Sequence, residues 1–128
     1  MPEEIQVKKN QVPEVLYHMV PNDLFLKFTQ KDGTYNCRNQ NEWGHASPFI
    51  HTTTTLQILK NRVAGNWKDY PLDKKFVLLT IDVSKLDSKF TFAEYNGIKY
   101  FHIWGSLPPE SFSVSEADRN PDGSFALS

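Results

Sequence analysis

The side chains in this chain best suited to proton chemistry near neutral pH are its histidines, His18, His45, His51 and His102, because imidazole alone among unperturbed side chains titrates there. His18, His51 and His102 fall in stretches that read as β-strands, and His45 in a loop. Three imidazoles on strands are costly to bury separately, since each then needs its own hydrogen-bond partner, whereas one polar cleft satisfies them together. Zinc sites bring close ligand pairs such as C-x2-C or H-x3-H. Here the separations are long and no acidic residue adjoins any of the three, so no metal is expected. A Ser-His-Asp or Cys-His hydrolase is poorly served as well: there is no nucleophile elbow, and the single cysteine, Cys37, has no motif around it. Neither a glycine-rich phosphate loop nor a dinucleotide fingerprint occurs.

The element that must position His102 is the stretch Glu94 to Gly105, because Asn96-Gly97 accepts the positive φ angles of a two-residue type I′ turn. Counting outwards predicts Tyr95 opposite Ile98, Glu94 opposite Lys99, Ala93 opposite Tyr100, Phe92 opposite Phe101, Thr91 opposite His102 and Phe90 opposite Ile103. Opposite charges at 94 and 99 agree with that register. Alternation then gives Phe90, Phe92, Phe101 and Ile103 one apolar face. Thr91, Ala93, Tyr95, Ile98, Tyr100, His102 and Trp104 share the other, which reads either as a ligand-cleft floor or as a half-exposed face with an incidental histidine.

His18 belongs to a first strand predicted over Glu14 to Val20, apolar on both faces and therefore covered on both. A buried neutral histidine there needs only a hydrogen-bond partner. His51 lies in a short strand before a helix, with Phe49 on its side and Ile50 and Thr52 on the other. A threonine among 53 to 55 caps that helix, predicted over Thr54 to Ala64, and the hydroxyls around its N-terminus serve either capping or a phosphate. A first helix is predicted over Asp23 to Lys31, capped by Asn22, with Leu24, Phe25 and Phe28 inward and Gly33 as its stop. Phe76 to Val83, almost continuously apolar, reads as a central strand buried on both faces. Ser111 to Ser115 add a last short strand. Residues 34–48 and 65–74 lack periodicity and read as loops.

The chain of 128 residues carries a net charge of −1 with both signs interspersed, which offers no electrostatic footprint for nucleic acid or an anionic membrane. No signal-like N-terminus and no membrane-length apolar run are present, so a soluble, cytoplasmic protein is expected. The expected organisation is a flexible arm over 1–13, one α+β domain over 14–115 and a flexible tail over 116–128. Its predicted fold is a bent antiparallel sheet or two small packed sheets with two helices. Oligomeric state is not legible.

Four motifs occur in order between about Val15 and Val114: Leu16-Tyr17-His18; Phe49-Ile50-His51-Thr52-Thr53 with Asn61-Arg62; Leu78-Leu79-Thr80-Ile81-Asp82; and Phe101-His102-Ile103-Trp104-Gly105-Ser106-Leu107. Together they resemble the domain-of-unknown-function 952 family, grouped with the ADP-ribosyltransferase-like fold, in which two small antiparallel sheets hold NAD between them. The resemblance implies His18, His51 and His102 as catalytic positions. His18 and Arg62 would then handle phosphate or ribose, and His51 and His102 would serve as acid and base. It implies a nucleotide-like ligand, NAD foremost, held by Tyr17, Thr52, Thr53, Arg62, Tyr100 and Trp104. The chain departs from the pattern in carrying Phe101 before the third histidine, Trp104 two residues after it, and Thr52-Thr53 after the middle one. At the third motif true transferases carry a glutamate, and His102 supplies no negative charge. Glu94 lies on the opposite face. Two readings follow, an NAD- or nucleotide-processing transferase and a non-catalytic small-molecule or nucleotide-binding module. A third is an interaction domain displaying Trp43 and Trp67.

Overall fold

Short strands with one or both faces apolar bury them by packing sheet on sheet, and the computed structural model has that arrangement. It describes residues 3–36, 41–42, 45–46, 49–66 and 71–126. The strands are β1 (Ile5–Val7), β2 (Val15–Pro21), β3 (Asn41–Glu42), β4 (His45–Ala46), β5 (Ile50–His51), β6 (Phe76–Asp82), β7 (Lys89–Tyr95), β8 (Ile98–Trp104), β9 (Phe112–Arg119) and β10 (Phe125–Ala126). Helix α1 (Asn22–Phe28) follows β2, and α2 (Leu56–Asn66) follows β5. One four-stranded sheet has the order β1-β7-β8-β5 and a second β10-β9-β6-β2, while β3 and β4 pair separately. The pairings are antiparallel throughout. The α+β class and the two small sheets with two helices are as expected.

The Asn96-Gly97 turn forms with φ of 52° and 79°, and the β7–β8 register is the predicted one from Tyr95–Ile98 to Phe90–Ile103. The charges at its tip do not hold it, however: the Lys99 ammonium lies 4.9 Å from the centre of the Phe92 ring. Between the sheets, Leu16 and Val20 of β2, Val77, Leu79 and Ile81 of β6, Phe90 of β7, Phe101 and Ile103 of β8 and Ile50 of β5 fuse into one buried cluster. The space between the sheets is thus filled by apolar side chains, which corrects the expectation of a ligand cleft there. On the other face of the second sheet, Met19, Phe76, Leu78, Ala117 and Phe125 pack with Leu59 of α2. The two sheets also join edge to edge, through a bridge between Tyr17 and Thr53.

Several boundaries move. The segment read as a loose arm contains β1, paired Ile5–Phe92, Gln6–Thr91 and Val7–Phe90 on the edge of the first sheet. The segment read as a loose tail carries β9 on to Arg119 and returns as β10, with Phe125 fully buried. Helix α1 ends at Phe28, short of Lys31, because Thr29 turns extended and bridges Tyr35, with Gly33 (φ 92°) reversing the chain between them. Asn22 does not cap it. Its amide donates to the Lys75 carbonyl, and the Asp23 carboxylate accepts from the Leu24 amide instead. Thr55 does cap α2, its hydroxyl accepting from the Ile58 amide at 3.1 Å. Within the predicted loop 34–48, β3 and β4 form a small hairpin. Cys37, Trp43 and Trp67 lie outside the described residues.

Candidate functional site

The face of the first sheet turned away from the core collects the polar and aromatic residues. Alternation on β8 sends Tyr100, His102 and Trp104 there while Phe101 and Ile103 enter the core. His51 pairs with His102 across β5 and β8, so both imidazoles share the face. Their ring centres are 4.9 Å apart, nearly perpendicular. Phe49 stacks on His102 at 4.2 Å and touches His51 at 4.7 Å and Trp104 at 4.9 Å. Above the hairpin, Arg62 of α2 lies 4.9 Å from the Tyr100 ring and 6.0 Å from Tyr95, and its charge is felt by both imidazoles.

A carboxylate joins them from the other end of the sheet. Glu4, just before β1, accepts a 2.6 Å hydrogen bond on Oε1 from His102 Nδ1 and another of 2.6 Å from the Thr91 hydroxyl. Thr91 in turn accepts from the Trp104 indole N–H at 2.8 Å. An ionised carboxylate only accepts, so His102 carries its proton on Nδ1 and Nε2 is left as a lone pair. Although His102 is only 6 % exposed, its Nε2 has no hydrogen-bond partner among the described residues.

Burial is the largest influence on the His102 pKa and lowers it. The Glu4 carboxylate pulls the other way, and Arg62 adds to the lowering. Burial raises the Glu4 pKa, but the bonds from Thr91 and His102 outweigh it and hold the carboxyl below its usual range. The two directions fit one state at pH 7, a neutral imidazole donating to an ionised carboxylate, and the pair becomes ionic only in acid. His51 keeps part of its surface in solvent, yet the protein crowded round its ring, then His102, His18 and Arg62, pull its pKa down to about 3 against a small opposing pull from Glu4. Both site histidines are therefore neutral at pH 7.

His18 is not with them. It points inward with Leu16 and Val20, is 2 % exposed, and donates from Nδ1 to the His51 carbonyl at 2.6 Å, with the Tyr35 hydroxyl 3.4 Å from Nε2. Burial lowers its pKa to about 4. The expectation that all three histidines line one cavity is thus corrected: two share a face, and the third lies in the core beneath, tying β2 to the backbone of β5. Tyr17, on the opposite face of β2, packs with the Met19 and Leu59 cluster. The Thr52 hydroxyl donates to the Phe101 carbonyl at 2.7 Å and that of Thr53 to the Thr55 carbonyl at 3.1 Å, so both stabilise the fold locally. Arg62, Tyr100 and Trp104 do join the histidine face.

Sequence reasoning missed Glu4, which sits in an aperiodic charged segment. Phe49 had its signal in the alternation that placed it beside His51. A separate cavity of about 290 Å³, lined by Asp73, Lys74, Lys75, Glu116, Asp118 and Arg119 among others, lies on the second sheet and touches none of these groups. Among the described residues no three His, Cys, Asp or Glu side chains are arranged to hold a metal ion, and no helix is long and apolar enough to cross a membrane. No protein-family model, curated protein or solved structure matches the chain.

Proposed function

We propose that the outer face of the first sheet binds and processes NAD or a related nucleotide or phosphate ester, in the manner of an ADP-ribosyltransferase-like enzyme. One observation carries this reading: His102, nearly buried, is bound through Nδ1 to Glu4, while its Nε2 has no partner among the described residues and its neighbours are His51 and Arg62. A buried acceptor left unsatisfied costs roughly 1–3 kcal/mol, which a ligand proton would recover. Arg62, which has no ion pair among the described residues, suits a phosphate. Tyr100, Trp104 and Phe49 offer ring surface to a base.

The charge states favour one kind of reaction. With both imidazoles neutral at pH 7 and Glu4 ionised, the site has a base and a negative charge but no protonated imidazole to serve as acid. Breaking a phosphate ester releases an alkoxide that wants a proton. Breaking the glycosidic bond to a pyridinium sends the bonding pair to the ring nitrogen, and nicotinamide leaves neutral. Positive charge moves to the ribose, where an anionic Glu4 stabilises it, and Nε2 of His102 accepts the proton of the incoming nucleophile. The motif resemblance points to the same substrate. A binding module without turnover is the second reading, favoured by the Phe49 ring that covers one face of His102.

Thermal shift with NAD, ADP-ribose and nucleoside phosphates, followed by NAD consumption in wild type, His51→Ala and His102→Ala, tests both. Turnover lost in the variants supports the enzyme, and binding without wild-type turnover supports the module. Absence of any binding overturns both.

A further inference from the structure

We propose that Trp104, Thr91 and Glu4 form a positioning relay that fixes the proton of His102 on Nδ1 and so keeps Nε2 available as the base. The inference rests on the reading of His102 as the working group of the site. Each link has one donor and one acceptor that can fill it. The indole N–H can only donate, so at 2.8 Å it occupies a lone pair of the Thr91 oxygen and turns the hydroxyl proton elsewhere. That proton goes to Glu4 Oε1 at 2.6 Å, and the same oxygen receives the His102 Nδ1 proton at 2.6 Å. Two charge-assisted bonds on one oxygen fix the carboxylate and, through it, the tautomer of the imidazole. Trp104 therefore contributes its N–H to the relay as well as ring surface to the ligand.

The relay depends on β1. Glu4 reaches Thr91 and His102 because the strand after it pairs with β7, and the turn that follows this strand is tied to the chain at Ser84 by the Lys9 ammonium, which donates to the Ser84 carbonyl at 2.9 Å. Among the described residues, charged or titratable groups face His102 from three elements: Glu4 before β1, His51 on β5 and Arg62 on α2. Of these only Glu4 favours the protonated ring, so removing it and removing Arg62 shift His102 in opposite directions.

Nitrogen-detected histidine NMR of the full chain between pH 4 and 8 tests the relay without a ligand. Wild type is expected to show His102 as the Nδ1–H tautomer. Glu4→Ala moves it towards Nε2–H and lowers its pKa, Thr91→Val does so in part, and Trp104→Phe least. His18, buried and bonded to the His51 carbonyl, keeps its own Nδ1–H signature and reports that each variant is folded. Glu4→Gln, which retains an acceptor without the charge, is expected to keep the tautomer while still lowering the pKa. An Nε2–H tautomer of His102 in wild type overturns the relay, as does a tautomer and pKa unchanged in both Glu4→Ala and Thr91→Val. NAD binding at pH 7 separates this outcome from the functional proposal: about tenfold weaker binding in Glu4→Ala is expected. A wild type that shows the tautomer pattern but binds no NAD leaves the relay standing and removes the function.

Discussion

His18 and His102 are both nearly out of solvent, on strands of the two different sheets, and their surroundings differ in kind. His18 faces the apolar space between the sheets, and each of its ring nitrogens meets a protein oxygen, the His51 carbonyl or the Tyr35 hydroxyl. His102 faces outward, and among the described residues only its Nδ1 is engaged, by a carboxylate. A histidine satisfied by neutral groups in a core acts as a hydrogen-bonded strut. One held by an anion, with its second nitrogen unspent beside another imidazole and a cation, has chemistry left to do. The face of the strand decides between these fates, and the strand's alternation decides the face.

The sharpest way to break that contrast is to remove each ring. His18→Ala opens a cavity in the core and removes the hydrogen bond to the His51 carbonyl, so it is expected to destabilise the fold by about 4 kcal/mol. His102→Ala releases a carboxylate that can reach solvent and is expected to cost less than half as much. Chemical denaturation of both variants measures the difference. Equal losses would show that His102 is as structural as His18.

A second test uses acid. His18 has its pKa lowered in the fold from an ordinary 6.5 to about 4, so between those values the unfolded chain binds a proton that the folded chain refuses. Stability is then fully present above about pH 6.5 and falls as the pH drops towards 4, by at most about 3 kcal/mol for this group. His51 acts in the same direction, with a smaller share because part of its surface is in solvent. Glu4 acts in a lower window, losing its contribution as the pH falls through the carboxylate range. Unfolding midpoints measured from pH 7.5 to 4 should therefore decline in wild type and flatten most in His18→Gln. An equal decline in that variant would place the acid sensitivity elsewhere.

Much of this contrast is legible in the residues. Asn96-Gly97 sets the hairpin register because few other pairs accept two positive φ angles, and the register puts His102 beside Thr91 and opposite the core. The same alternation groups His18 with Leu16 and Val20, an apolar set that by itself marks a core residue. Residue type, which groups His18 with the other histidines instead, is the misleading signal. Glu4 is not legible, because a three-residue edge strand is too short to show alternation and its partner β7 lies more than eighty positions away in the chain. The return of the tail as β10 is hidden for a similar reason, since the strand has two residues and one buried ring, Phe125, to announce it.

The smallest expected effect sharpens the contrast most finely. Tyr35→Phe removes only the hydroxyl that lies 3.4 Å from Nε2 of His18 and leaves the ring at its 5.8 Å approach. At that length the bond is weak, so the direct loss is small. The variant should lose about 1 kcal/mol in denaturation, keep the His18 Nδ1 bond to the His51 carbonyl, and leave the titration of His102 and His51 unchanged. A shift in either outer histidine would mean that the core strut and the outer face are coupled through the β5 backbone, and the two histidines would then have to be treated as one system.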